Sequence, residues 1–136
     1  MLAETLIVLP IVTLFAIAVL EFGSVFWQRQ QLQTGVRDAA RYWSRCRPDF
    51  SNCSLTIARN IAFYGNPSGS GSLRVPNWND ASELDVTPAT PPGAPEATDL
   101  VTVTGTLVYE GSPLIGKLSI PVMTITYQHT ERYIGW

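Results

Sequence analysis

The chain has 136 residues, enough for one modest domain, and 46% of them are hydrophobic. Apolar side chains take 20 of the first 27 positions but only 42 of the remaining 109. Residues 22–48 carry a local charge of +4 and residues 49–136 one of −4, so the net −2 averages two unlike regions. This distribution argues against a freely soluble globule, a polytopic membrane protein, whole-chain disorder and a nucleic-acid binder, whose basic residues would not be confined to one short stretch.

Residues 5–20 carry no charge, and the apolar run widens to residues 2–27 if Glu4 and Glu21 are tolerated. As a helix those residues span roughly 39 Å, enough to cross a hydrocarbon layer of about 30 Å. A cleavable signal peptide would need a basic start, a shorter apolar core and a small-residue cleavage site. The start here is acidic and the run continues into helix-like sequence, which favours a retained anchor. Phe15, Phe22, Phe26, Leu32 and Val36 are its candidate helix-packing residues, and beyond Phe22 the spacing is helical. Arg37, Arg41 and Arg45 recur every four residues as a basic stripe, read either as a solvated face or as a contact for anionic lipid or a partner subunit. One helix is therefore expected from about residue 2 to about residue 46. Pro10 removes a backbone hydrogen bond inside it and is expected to kink or loosen it.

Glu4 is the most informative residue of the head. An ionised carboxylate within an apolar helix costs several kcal/mol unless it meets a partner. It either sits at the membrane surface, which the physics alone favours, or meets a positive group such as the N-terminal ammonium of a neighbouring subunit.

Cys46 and Cys53 are the two cysteines, with Pro48 between them. They suit a disulfide across a helix–loop–helix corner, which implies an oxidising compartment; the alternative is a pair of buried thiols. With His129 as the single histidine, no zinc site is expected. Residues 54–64 read as a short second helix with Ser54 as its cap. The Ser68–Ser72 stretch reads as a flexible connector, lacking the lysine of a phosphate loop. Residues 76–99 read as an exposed loop with one short strand near residues 83–86. Its acids Asp80, Glu83 and Asp85 lack the ordered spacing of a calcium loop, so no metal is assigned.

Two alternating stretches follow. Val101, Val103, Leu107 and Tyr109 share one face of residues 100–109, and Met123, Ile125, Tyr127 and His129 share one face of residues 120–130. Their Val and Thr content favours antiparallel pairing through a broad hairpin loop whose tip, Pro113-Leu114-Ile115, is apolar. The expected fold is α+β: a long N-terminal helix, half lipid-embedded and half amphipathic, a short second helix and a small antiparallel sheet. Residues 1–27 form the transmembrane or filament-core half, and residues 28–136 the α+β domain.

This layout resembles the type IV pilin-like subunits, and more closely the TadE-like minor pilins or pseudopilins of Tad (Flp) pilus systems. The residues that carry the resemblance run from Glu4 to Pro10, through Glu21-Phe22-Gly23 and Gln30-Gln31-Leu32-Gln33, to Val36–Tyr42 and Ala58–Asn66. It implies that Glu4 pairs with the amine of an adjacent subunit, which tilts the reading of Glu4 toward pairing. Further implied are prepilin peptidase during maturation, the inner-membrane pilus assembly machinery, membrane lipid before assembly, and the major pilin and other minor pilins as partners. The resemblance places the C-terminal domain in the periplasm and then on an extracellular pilus. The arginines that follow the apolar run would by themselves place that domain in the cytoplasm; a removed basic leader resolves the tension. Nucleic acid is not an expected partner and no cofactor is implied. No nucleophile motif surrounds His129, so no enzyme is expected. The alternative reading is a membrane-anchored periplasmic binding module or adhesin, with Trp78, Tyr109, Trp136 and residues 66–99 as its recognition surface.

Overall fold

The computed structural model describes residues 2–49, 53–111 and 121–135. Helix α1 runs from Leu2 to Ser44 without interruption, through Pro10. It closes two residues earlier than the sequence suggests. The amides of Arg45 and Cys46 bond the carbonyls of Tyr42 and Trp43 at 3.2 and 3.1 Å, and the Ser44 hydroxyl bonds the Arg41 carbonyl at 3.0 Å. These bonds satisfy carbonyls that a helix end leaves open, so the chain turns before Pro48 is reached.

Helix α2, Leu55–Tyr64, begins as expected at Ser54, whose hydroxyl accepts the Ile57 amide at 3.2 Å. It ends at Gly65, which adopts φ 77° and returns its amide to the Ile61 carbonyl. The connector after it is a set of hydrogen-bonded turns rather than a featureless linker. Asn66 Nδ2 donates to the Ser70 carbonyl at 2.7 Å, Ser68 Oγ to Asn66 Oδ1 at 2.8 Å, and Asn60 Nδ2 to the Pro67 carbonyl at 3.0 Å.

A 3-10 turn at Ala81–Glu83 leads into strand β1, Leu84–Thr87; β2 covers Leu100–Tyr109 and β3 covers Met123–Arg132. The sheet is antiparallel in the order β1-β2-β3, with Val86 opposite Val103 and Leu107 opposite Ile125. In β2 the inward face is buried from Val101 to Tyr109, as its alternation requires. In β3 burial fades: Ile125 is buried, Tyr127 and His129 half-buried, and Met123 exposed. The expected apolar hairpin tip at residues 113–115 and Trp136 lie outside the described residues.

The second half of α1 packs across this sheet and against α2. Leu32, Val36, Ala39, Ala40 and Trp43 meet Ala58, Ala62 and Phe63 from α2 and Val101, Val103 and Leu107 from β2. One core member was not expected. Trp78, in the supposed exposed loop, is fully buried together with Val75. Asn77 adopts φ 66° between them, and that left-handed residue turns the Trp78 ring inward. Its ring meets Phe63 edge-on, with centroids 4.9 Å apart.

Candidate functional site

An α-helix buries a side only where another element meets it. Among the described residues little packs on residues 4–20 of α1: Leu6, Leu9, Leu14, Phe15 and Leu20 are each more than 60% exposed. Helix α1 is long and apolar enough to cross a membrane by length and composition, and none of its most apolar window is buried. Such a surface is unstable in water at roughly 25 cal/mol for each exposed square ångström. The structure divides the predicted helix-packing residues accordingly. Phe15, Phe22 and Phe26 are exposed, whereas Leu32 and Val36 are fully buried in the chain's own core.

Glu4 is exposed in the first turn of α1. There a negative charge also complements the positive end of the helix dipole. Pro10 leaves the Leu6 carbonyl without its intrahelical donor. One turn on, the Thr13 hydroxyl bonds the Leu9 carbonyl at 2.7 Å.

Where the apolar half enters the domain, the Tyr109 hydroxyl donates to Glu21 Oε1, joining the end of β2 to α1. Burial beside that carboxylate raises the Tyr109 phenol above its ordinary value. Next to this bond lies a groove of about 600 Å3 walled by Ala18, Phe22, Val25, Pro121, Val122 and Met123. The sequence offered one hint of the junction, a single acid closing a long apolar run; its partner 88 positions away was not legible.

The basic stripe lies along β3. Arg37 Nε donates to Tyr127 Oη at 3.1 Å, with the guanidinium 5.6 Å from the ring centroid. Arg41 Nε lies 3.7 Å from Glu131 Oε1, which His129 Nε2 also meets at 3.2 Å. Two of the three arginines thus have partners within the chain while remaining exposed, and Arg45 is exposed beyond them. A separate ion pair ties the connector to α1: Arg74 donates to Asp38 Oδ2 at 2.6 Å, and the Arg74 amide bonds the Phe63 carbonyl at 2.7 Å. Arg74→Ala is expected to lower stability by about 1–2 kcal/mol, a charged hydrogen bond discounted for partial solvent screening. Urea unfolding checks it, with an unchanged slope and an earlier midpoint.

Asp80 and Glu83 form a capping box around the 3-10 turn, Asp80 accepting the Ser82 amide and Glu83 accepting the amides of Asn79 and Asp80. The Ser82 amide and hydroxyl hold the Asp80 carboxyl below its ordinary value. Cys46 and Cys53 are both thiols in this structure, Cys46 buried and Cys53 half-buried. Of the aromatics considered for a recognition surface, Trp78 and Tyr109 are core residues.

Together these features define a class of protein: an apolar, membrane-type helix whose far half is the spine of a small α+β domain. The family model described as TadE-like protein matches residues 1–41, most of α1. That family is a structural, pilus-associated one, and the match lies within the first helix of this chain. No curated protein and no solved structure matches the chain.

Proposed function

We propose that the protein is a structural minor pilin, a pseudopilin that acts in initiation, assembly or the tip of a Tad-type pilus. The observation that carries this reading is a coincidence of extent: the TadE-like match spans the same helix whose first half the chain leaves uncovered. Before assembly, inner-membrane lipid covers that half; afterwards, helices of the major pilin and other minor pilins do. The groove beside Glu21 and Tyr109 extends the uncovered surface to the edge of the domain, giving a packed neighbour a seat on both helix and sheet. Residues 28–136 lie in the periplasm and later outside the cell. Prepilin peptidase and the inner-membrane assembly machinery act on the N-terminal segment.

In this reading Glu4 meets the N-terminal ammonium of a neighbouring subunit. An ion pair contributing about 1.4 kcal/mol in apolar surroundings is a factor of ten in occupancy. Glu4→Ala is therefore expected to reduce the amount recovered with sheared filaments roughly tenfold. Its melting temperature in detergent stays that of the unaltered chain, because Glu4 lies far from the core. Recovery at the normal level would remove the pairing role.

A further inference from the structure

We propose that Cys46 and Cys53 form an oxidation site, joined outside the cytoplasm into one disulfide that ties the end of α1 to the start of α2, with Cys53 as the entry thiol and Cys46 as the resolving thiol. The cellular placement rests on the pilin reading; the pairing and its order rest on the packing and exposure of the two thiols. Cys46 lies two residues beyond α1, and Cys53 immediately precedes the cap of α2. Cys46 belongs to the buried core, and Cys53 packs partly buried against that same core. Tyr42 Oη accepts the Ser54 amide at 3.3 Å, which holds the residue next to Cys53 against α1. The corner therefore already holds both cysteines against one core before any bond forms, so little chain ordering is left to the reaction.

The order follows from access. Cys46 is 2% exposed and belongs to the core, while Cys53 is half-buried. Burial also pushes the Cys46 thiol up to about 12, so it is a poor first nucleophile. The oxidant is a disulfide, either a protein dithiol oxidase or oxidised glutathione. The Cys53 thiolate attacks one oxidant sulfur; the oxidant's S–S bond breaks and its other sulfur leaves with the electron pair. Cys46 then loses its proton and attacks Cys53 Sγ, displacing the second oxidant thiolate. Two thiols are oxidised, one disulfide is reduced, and two protons pass to the departing thiols.

The site also reaches the end of the chain. The Cys46 carbonyl accepts the Tyr133 hydroxyl at 2.6 Å, the Ser44 carbonyl accepts the amides of Ile134 and Gly135, and Arg47 Nε donates to the Gly135 carbonyl at 2.7 Å. Residues 44–47 are thus the clamp on which residues 133–135 dock, and the disulfide stiffens that clamp.

The test uses the full chain in detergent, reduced and then equilibrated with oxidised glutathione, acid-quenched, alkylated with a maleimide and weighed intact. The expected result is a monomer that takes no alkylating agent and has lost two hydrogens. Cys46→Ser should retain one glutathione on Cys53, while Cys53→Ser should react with glutathione at least roughly tenfold more slowly. Circular dichroism confirms that both variants are folded, and Cys46→Ala and Cys53→Ala repeat the comparison without a hydroxyl. Two alkylated thiols in the equilibrated chain would overturn the pairing, and equal rates in the two variants would overturn the order. Chain acid-quenched directly from cells should also lack free thiols. If it carries two while the purified chain still pairs, the placement outside the cytoplasm falls and the pairing chemistry stands.

Discussion

Trp78→Ala should lower the stability of the domain by about 3–5 kcal/mol, the range for deleting a large aromatic from a packed core. For a domain near 100 residues that is a fall in melting temperature on the order of 20 °C. The ring is fully buried and touches three elements at once. It meets Phe63 of α2 edge-on, and it lies where side chains on Gly35 of α1 and Gly105 of β2 would have to go. A Cβ built at Gly35 would stand 2.9 Å from the Trp78 ring and 2.5 Å from the Ala62 carbonyl oxygen; one at Gly105 would stand 2.5 Å from a Val36 methyl. The two glycines let helix and strand close around the indole. Among the described residues its Nε1 has no hydrogen-bond partner, so the indole contributes by filling space rather than by a polar contact. Trp78→Phe should therefore cost much less than Trp78→Ala, since it keeps an aromatic face and removes an unsatisfied donor. Thermal unfolding followed by circular dichroism checks the series, and equal losses in the two variants would refute the packing account.

The glycines supply a second comparison. Gly35→Ala gains about 1 kcal/mol of helix propensity. It also drives a methyl group onto a backbone oxygen that cannot rotate away, and overpacking costs about 1–3 kcal/mol. Gly105→Ala would press its methyl onto a methyl of Val36, a stiff and fully buried side chain, and onto the end of Leu32, which has more freedom to move. Gly35→Ala should therefore be net destabilising by up to about 2 kcal/mol, against the gain that helix propensity alone implies. Calorimetric melting of the two variants settles it.

How far the sequence revealed this architecture depended on whether the signal was local. The course of α1 followed from an apolar run passing into i, i+3, i+4 spacing, and β2 from strict Val/Thr alternation; both are periods that neighbouring residues share. The start of α2 followed from one capping serine. Trp78 stood alone among Pro, Asn and Asp, so no period marked it as core, and the left-handed Asn77 that turns it inward has no signature in composition. The same holds for Asp38 with Arg74 and for Glu21 with Tyr109. Each partner is unremarkable in its own segment, and only the folded chain brings the two together. The arginine stripe was legible as a stripe, yet its nearest partners, Tyr127 and Glu131, come from a strand some 90 residues later. What remained legible at the candidate site was therefore its apolar half, because exposure there is a property of the run itself rather than of any pairing.

The chain shortened to residues 28–136 should be a folded, detergent-free, monomeric domain, whereas the full chain should require detergent or partner helices. The core starts beyond that boundary: its first fully buried member is Leu32, and the residues removed contribute chiefly Val25, which packs partly against it. Removal also takes away the acceptor of the Tyr109 hydroxyl. A lost hydrogen bond to a charged group and one half-buried valine together amount to about 2–3 kcal/mol, a tolerable fraction of a typical domain stability of about 5–15 kcal/mol. A chain beginning at residue 17 separates the two effects, because it keeps Glu21 and Val25 while shedding most of the uncovered apolar surface. It should melt within a few degrees of the full chain in detergent, and the chain from residue 28 should melt lower by roughly 10 °C. Size-exclusion chromatography with light scattering reports the solubility half of the expectation, and thermal unfolding the stability half. If the chain from residue 28 aggregates or unfolds without cooperativity, the first 27 residues support the domain as well as carrying it. The proposed division between a lipid- or filament-packed half and an independent head would then be wrong. A soluble, cooperatively melting head means that the uncovered helix surface is held in reserve for other molecules, first lipid and then sister helices, since the domain does not need it to fold.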